Sequence, residues 1–238
     1  CGSRDNKAVY DDGHTYCFGC QEYKKENGEL PKKEKIVTDM IDGITEALPS
    51  RKIDEETCKK FNYQTGTYKG EPVHIANFYD KEHNRVAQKL RYQDKRFTWL
   101  GDADKITLFG QNIWRDGGKM IVITEGEIDA LSVSKVQNNK YPVVSVPSGA
   151  TSAKKYIKKE LDWLSKFENI VLMFDNDTAG KSASIECANI LPVKKVKIAT
   201  LPAKDPSELL QKGKGEQIVS CMWEAKAYTP QGIIEGND

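Results

Sequence analysis

Four short apolar runs, Met120–Thr124, Val143–Val146, Ile170–Phe174 and Val196–Leu201, constrain the fold of this chain more than any other feature. Each has the length of a strand, and stretches of helical length, about 127–139, 151–167 and 178–190, lie between them. Strands that are apolar throughout are buried on both faces, and strands alternating with helices build a parallel sheet covered by helices. In such α/β sheets the functional groups collect beyond the carboxyl ends of the strands. Two acidic groups fall there: Glu125 directly after Met120–Thr124, and Asp175 directly after Ile170–Phe174.

Upstream the pattern differs. Residues 51–118 read as α+β, with Asp54 placed to cap a helix running to about Phe61, strands at Pro72–Tyr79 and Arg85–Arg91, and a turn over 80–84. Strand alternation puts Lys89 and Arg91 on one face, with Lys95 and Arg96 just beyond. Residues 24–50 are charge-rich and weakly periodic, as in a linker or a loosely attached helix.

The 238 residues are 38% hydrophobic and 30% charged, which suits a soluble folded chain. No run approaches the roughly 18 uncharged residues of a membrane span, and no signal peptide opens the chain, so a membrane role is not expected. The net charge of +1 does not announce a nucleic-acid binder. Net charge hides patches, however: Lys and Arg cluster in 24–35, 85–96 and 154–159, and acids in Glu125–Asp129 and Asp175–Asp177.

Asp175-Asn176-Asp177 is the sharper acidic group, because residues two apart at a strand end can face one point. Neighbouring carboxylates repel and raise each other's pKa, and a divalent cation removes that repulsion. Oxygen ligands with open positions suit magnesium or manganese. Each group alone has a plainer reading, as helix-capping aspartates in a solvated turn or as acidic residues favoured by a helix dipole. Both together, on neighbouring βα units, point to a metal site.

Cys1-x15-Cys17-x2-Cys20 is three quarters of a Cys-x2-Cys-x15-Cys-x2-Cys zinc ribbon. The missing cysteine would lie three residues before Cys1, and the chain starts at Cys1 rather than a methionine, so a longer parent protein is expected. With three ligands, zinc is expected to bind weakly or not at all. His14, in the turn Asp12-Gly13-His14-Thr15, is either an exposed turn residue or a contact to DNA bases.

Glu125-Gly126, then Asp175-Asn176-Asp177, then Asp205 in Ala203-Lys204-Asp205-Pro206 resemble the Toprim domain shared by primases, topoisomerases and some nucleases. With Asp11–Cys17, Ala87–Arg91, Leu108-Phe109-Gly110 and Thr124–Asp129, the chain from Cys1 to about Gly232 resembles the primase half of the bifunctional primase–helicases of short-tailed bacteriophages. That resemblance implies an α/β chain in five parts: a partial zinc ribbon (1–23), a linker (24–50), a small α+β primase subdomain (51–118), a Toprim catalytic subdomain (119–210), and a segment leading toward a helicase domain (211–238).

The implied activity is a DNA primase, synthesising short oligoribonucleotides on single-stranded DNA. By the same resemblance Glu125, Asp175 and Asp177 are catalytic and, with Asp205, hold Mg2+ or Mn2+. Cys1, Cys17 and Cys20 hold Zn2+ in the full-length protein; Lys89, Arg91 and Lys95 bind nucleotide and template; Asp12 and His14 read the template trinucleotide. Lys154 and Lys155, after Ser148-Gly149-Ala150, stand where a helix start cradles a phosphate. The implied partners are single-stranded DNA, ribonucleoside triphosphates, a replicative helicase in the parent chain and a replicative DNA polymerase. The implied location is the cytoplasm of a bacterial host.

No Gly-x4-Gly-Lys-Ser/Thr loop occurs, so no helicase motor is expected within these residues. Two alternatives stay open: a Toprim nuclease, and a non-catalytic zinc-ribbon and Toprim module that binds single-stranded DNA. Val171–Thr178 also resembles the first motif of haloacid-dehalogenase phosphatases, but too little chain follows for that family's later motifs.

Overall fold

The computed structural model describes residues 7–10, 15–17, 23–24 and 39–230. The chain divides into two compact units, Cys1–Val37 and Thr38–Asp238. In the first, strands β1 (Lys7–Val9), β2 (Thr15–Cys17) and β3 (Tyr23–Lys24) pair antiparallel in the order β1-β2-β3. Cys17 closes β2 and is half-buried. Cys1, Asp12, His14 and Cys20 lie outside the described residues.

The second unit holds two sheets. Helix α1 (Glu55–Phe61) starts on Asp54, whose carboxylate accepts from Thr57 N–H, as the sequence predicts. An antiparallel sheet follows in the order β4-β5-β6-β7, from β4 (Tyr63–Tyr68), β5 (Glu71–Tyr79), β6 (Arg85–Tyr92) and β7 (Phe97–Gly101). Its far face buries Val73, Ile75, Leu90, Tyr92 and Leu100 under Ile41 and Tyr68. Residues 41–44 are docked here: Gln88, fully buried, exchanges two hydrogen bonds of 2.8 Å with the backbone of Ile41, and Ile44 bridges Thr65.

The second sheet comprises β8 (Ile121–Thr124), β9 (Val143–Ser145), β10 (Ile170–Met173), β11 (Val196–Ile198) and β12 (Lys226–Ala227), ordered β12-β11-β10-β8-β9. All pairs are parallel except the β12 edge. Alternation splits its apolar side chains between two cores. Val122, Val171 and Met173 face α2 (Glu127–Val136), α6 (Pro206–Gln211) and α7 (Gly215–Trp223). Ile121, Ile123, Ile170 and Leu172 face α3 (Ala150–Lys159), α4 (Leu161–Leu164) and α5 (Thr178–Ala188). The single helix expected over 151–167 is broken at Glu160, whose side chain turns inward, buried, to accept from Gln111 Nε2 at 3.0 Å.

The first of these cores continues into the near face of the antiparallel sheet, where Ile53, Phe61, Phe78 and Phe109 pack with Val122, Ile128 and Met173. Among the described residues no helix is long and apolar enough to cross a membrane.

Candidate active site

The parallel sheet changes direction between β8 and β10. The chain steps from β8 outward to β9, then crosses back to place β10 on the other side of β8. A crevice opens beyond the carboxyl ends of strands at such a switch point. Thr124 and Met173 are in register, so Glu125, next after β8, and Asp175, two residues after β10, emerge at the same edge and act on each other electrostatically. They line a pocket of about 760 Å3, with Asp129 and Asp205 on the same side. Lys89, Arg91, Lys95, Phe97 and Trp99 from the antiparallel sheet form its opposite side.

Each carboxylate is held differently. Glu125 Oε1 accepts from the Ala150 N–H at 3.1 Å, while Oε2 is buried without a partner. Asp205 caps α6 through a 2.7 Å bond from Glu208 N–H. Asp129 accepts from Ser207 N–H at 3.1 Å, and burial, with Asp205 and Asp175 adding repulsion, holds its carboxyl well above the usual range. Burial and the charges of Glu125 and Asp205 push Asp175 up to about 6. Lys204, 3.7 Å away, opposes that rise and has its own pKa raised, first by Asp175.

Asn176 joins the two acidic loops. Its N–H donates to Lys204 O at 2.7 Å and its side-chain amide to Leu201 O at 2.8 Å, which brings Asp205 toward Asp175. Asp177 stands apart from the pocket lining. Strand β10 ends at Met173, and by Asp177 the chain is entering α5, whose unpaired N–H groups draw the carboxylate back to Gly180 N at 2.9 Å. Asp177 thus uses one carboxylate oxygen to cap α5, while its charge still acts on both Asp175 and Lys204.

Gly180 fits closely: a Cβ there would lie 2.2 Å from the Asp175 carbonyl oxygen. Gly180→Ala is expected to push α5 off the β10 loop and cost about 1–3 kcal/mol, with Asp175 displaced. Thermal melting and activity of the variant check this.

On the basic side, the register pairs Lys89 with Trp99 and Arg91 with Phe97, so all four share one sheet face. Lys89 is 8% exposed; its ammonium lies 2.8 Å from Glu127 Oε1 and 2.8 Å from Pro147 O. Its charge is already compensated within the protein. Arg91 lies 5.7 Å from the Phe97 ring centroid and its charge partly offsets the rise at Asp129; Lys95 and Arg51 line the same pocket.

Among the described residues no three His, Cys, Asp or Glu side chains form a ready-made metal centre. The donor set nonetheless fits a divalent cation bound through one or two carboxylates and water: Glu125 Oε2 is orphaned, and Asp175 is raised by burial and by Glu125 and Asp205, offset only in part by Lys204. An aspartate whose pKa is higher folded than unfolded holds its proton more tightly in the native state. The native state then loses stability as pH rises from 3.8, the ordinary value, through about 6. Without added cation, stability is expected to fall by up to about 3 kcal/mol between pH 4 and pH 7 from Asp175. Melting temperatures with and without a divalent salt, in wild type and Asp175→Asn, measure that slope.

Sequence reasoning missed Asp129, Lys204, Arg51 and the Phe97–Trp99 wall. Asp129 was visible only as a helix-start acid, and Lys204 only as the neighbour of Asp205.

Comparisons with known proteins agree with this fold. A family model described as bacteriophage T7 DNA helicase/primase, N-terminal a+b fold, matches residues 43–101, and a Toprim-like model matches 122–210. A DNA helicase/primase of Enterobacteria phage T3 is 37% identical over 98% of this chain, which spans 44% of that protein's length. The primase fragment of the bacteriophage T7 primase-helicase superposes with a TM-score of 0.74 at 38% identity, covering 94% of this chain and 96% of that one. Primase domains in a bacteriophage T7 lagging-strand DNA polymerase assembly, bound to an RNA/DNA hybrid and dTTP, give 0.76 at 39% identity, covering 81% and 100%. The parallel sheet with its acidic switch point is thus a Toprim-like domain, and the chain belongs to the phage DNA helicase/primase family.

Proposed function

We propose that this chain is a DNA primase core that builds short oligoribonucleotides on single-stranded DNA by divalent-metal-dependent nucleotidyl transfer. The observation that carries this reading is one pocket with acids on one wall and cations with aromatics on the other. Nucleotidyl transfer needs both: a place for a metal at the reacting phosphate, and a place for strand and triphosphate.

Glu125, Asp175 and Asp205 would hold Mg2+ or Mn2+, with Asp177 supporting from the start of α5. When bound, the cation neutralises charge on the transferring phosphoryl group as pyrophosphate leaves. Ala150 N–H fixes one oxygen of Glu125 and leaves the other to act. Lys204 holds Asp175 in place electrostatically. Arg91 and Lys95, joined by Arg51, take template or triphosphate oxygens, and Phe97 and Trp99 offer ring faces to a base. Lys89 fixes the Pro147 loop against Glu127 and borders the same site. Lys154 and Lys155, exposed on the first turns of α3, add positive charge beside it.

Cys1, Cys17 and Cys20 would bind Zn2+ once a fourth ligand is supplied, with Asp12 and His14 reading the template trinucleotide. Of the five parts set out from the sequence, the linker gives up its end to the primase core, since residues from Thr38 on go with the second unit, and the name of the phage T3 relative supports a helicase in the parent protein. The T7 assembly, with its RNA/DNA hybrid, dTTP and polymerase, supports template, nucleotide and polymerase as partners; the proposed place of action is the cytoplasm of the bacterial host.

Incubation with random-sequence single-stranded DNA, ribonucleoside triphosphates and Mg2+ or Mn2+ should yield oligoribonucleotides a few residues long. An N-terminal extension restoring the fourth cysteine should sharpen the start sites. DNA cleavage without synthesis would indicate a nuclease instead, and binding with neither would indicate a non-catalytic module.

A further inference from the structure

A second large hollow lies at the opposite end of the parallel sheet. It occupies about 930 Å3 between the end of α2, helix α7 and the amino-terminal ends of β8 and β9. Two aromatic side chains stand open there, Trp223 at 70% exposure and Tyr141 at 59%. Arg115, Lys119 and Lys140 are exposed along it, and no Asp or Glu is among the described residues that line it. In its floor Gln137 is 6% exposed. The Gln137 Nε2 donates only to Met222 Sδ, a weak acceptor, at 3.3 Å, and its Oε1 is buried with no partner. Either orientation of the amide leaves one end unmatched.

A buried, unsatisfied amide costs free energy that an incoming ligand recovers by supplying a hydrogen bond. Flat aromatic faces beside it favour a planar ring. Cations lacking carboxylate partners favour an anionic ligand. An apolar peptide would cover the rings but leave Gln137 and the cations unanswered. A nucleotide answers all three, with base on aromatic, base edge on amide and phosphate on cation.

We propose that this groove is a base-stacking subsite for single-stranded DNA, separate from the carboxylate pocket. The choice of DNA rests on the priming function proposed above, since a template copied in that pocket continues beyond it. The groove would hold that continuing strand while the pocket works on the copied bases.

The test uses the 238-residue chain and a 20-nucleotide oligothymidylate substituted with 5-bromodeoxyuridine. Ultraviolet cross-linking and peptide mapping should find adducts on Tyr141 or Trp223. Trp223→Ala and, separately, Lys140→Glu should each weaken 20-mer binding, by about tenfold for Trp223→Ala, with unchanged melting temperatures. Both should leave dinucleotide synthesis unchanged on a template just long enough for the carboxylate pocket. Cross-links confined to residues around Lys89–Trp99, with wild-type 20-mer binding by both variants, would overturn the proposal, as would protection of Trp223 by self-association of the chain rather than by DNA. If cross-links fall on Trp223 but no template supports synthesis, the groove stands and the priming assignment falls.

Discussion

Asp175→Asn should abolish oligoribonucleotide synthesis, by at least about a thousandfold, while single-stranded DNA binding stays within a few-fold of wild type. The substitution keeps the side chain's shape and removes one charge from the wall that would bind metal. The cations proposed to contact DNA lie on the other sheet and are untouched. Nucleotide incorporation and fluorescence anisotropy on the same preparation separate the two effects. The variant should also be more stable than wild type at pH 8 without divalent cations, because Asp175 is ionised there against the push of burial, Glu125 and Asp205. Loss of DNA binding in parallel with synthesis would contradict the assignment of Asp175 to the metal.

Lys89→Met should destabilise the chain by about 3–5 kcal/mol, the usual consequence of stripping one partner from a buried ion pair. Glu127, with its side chain 7% exposed, would be left charged and unpaired, and Pro147 O would lose its donor. For a body of this size the melting temperature should fall by about 10 °C. Glu127→Gln in the same chain should recover a large part of that loss, because it removes the orphaned charge. A lysine serving only to bind phosphate would behave otherwise: its removal would weaken substrate binding, leave melting unchanged, and gain nothing from Glu127→Gln. Calorimetry of the single and double variants decides between these.

The two Lys89 outcomes mark where the sequence could and could not be read. Lys89 and Arg91 were recognisable as a pair on one strand face, because strand period alone fixes that. That Lys89 is buried against Glu127 was not, because its partner is 38 residues away and on another sheet's helix. Glu125 and Asp175 were legible because their placement follows from apolar strands ending at acids. That Asp177 also caps α5 does not follow from strand alternation, because the cap forms after the strand has ended. Lys204 joins the site through the approach of the α6 loop to the β10 loop, and the bonds from Asn176 that make it leave no local pattern; Asp129, on the first turn of α2, meets that loop through the Ser207 N–H, another contact with no local signature. The break at Glu160 had the same character, depending on Gln111 far upstream.

The aromatic and aliphatic packing that runs from Phe61 and Phe78 through Phe109 to Val122 and Met173 ties both sheets of the second unit into one interior. The parallel sheet also has its second core against α3, α4 and α5, but the antiparallel one keeps only Val73, Ile75, Leu90, Tyr92 and Leu100 to itself and depends on the shared interior. Denaturation should therefore be all-or-none across this unit, with the acidic and basic walls of the pocket vanishing together. A protease cut between the sheets would yield no half-enzyme that retains strand binding, and chemistry here is inseparable from the integrity of the whole interior.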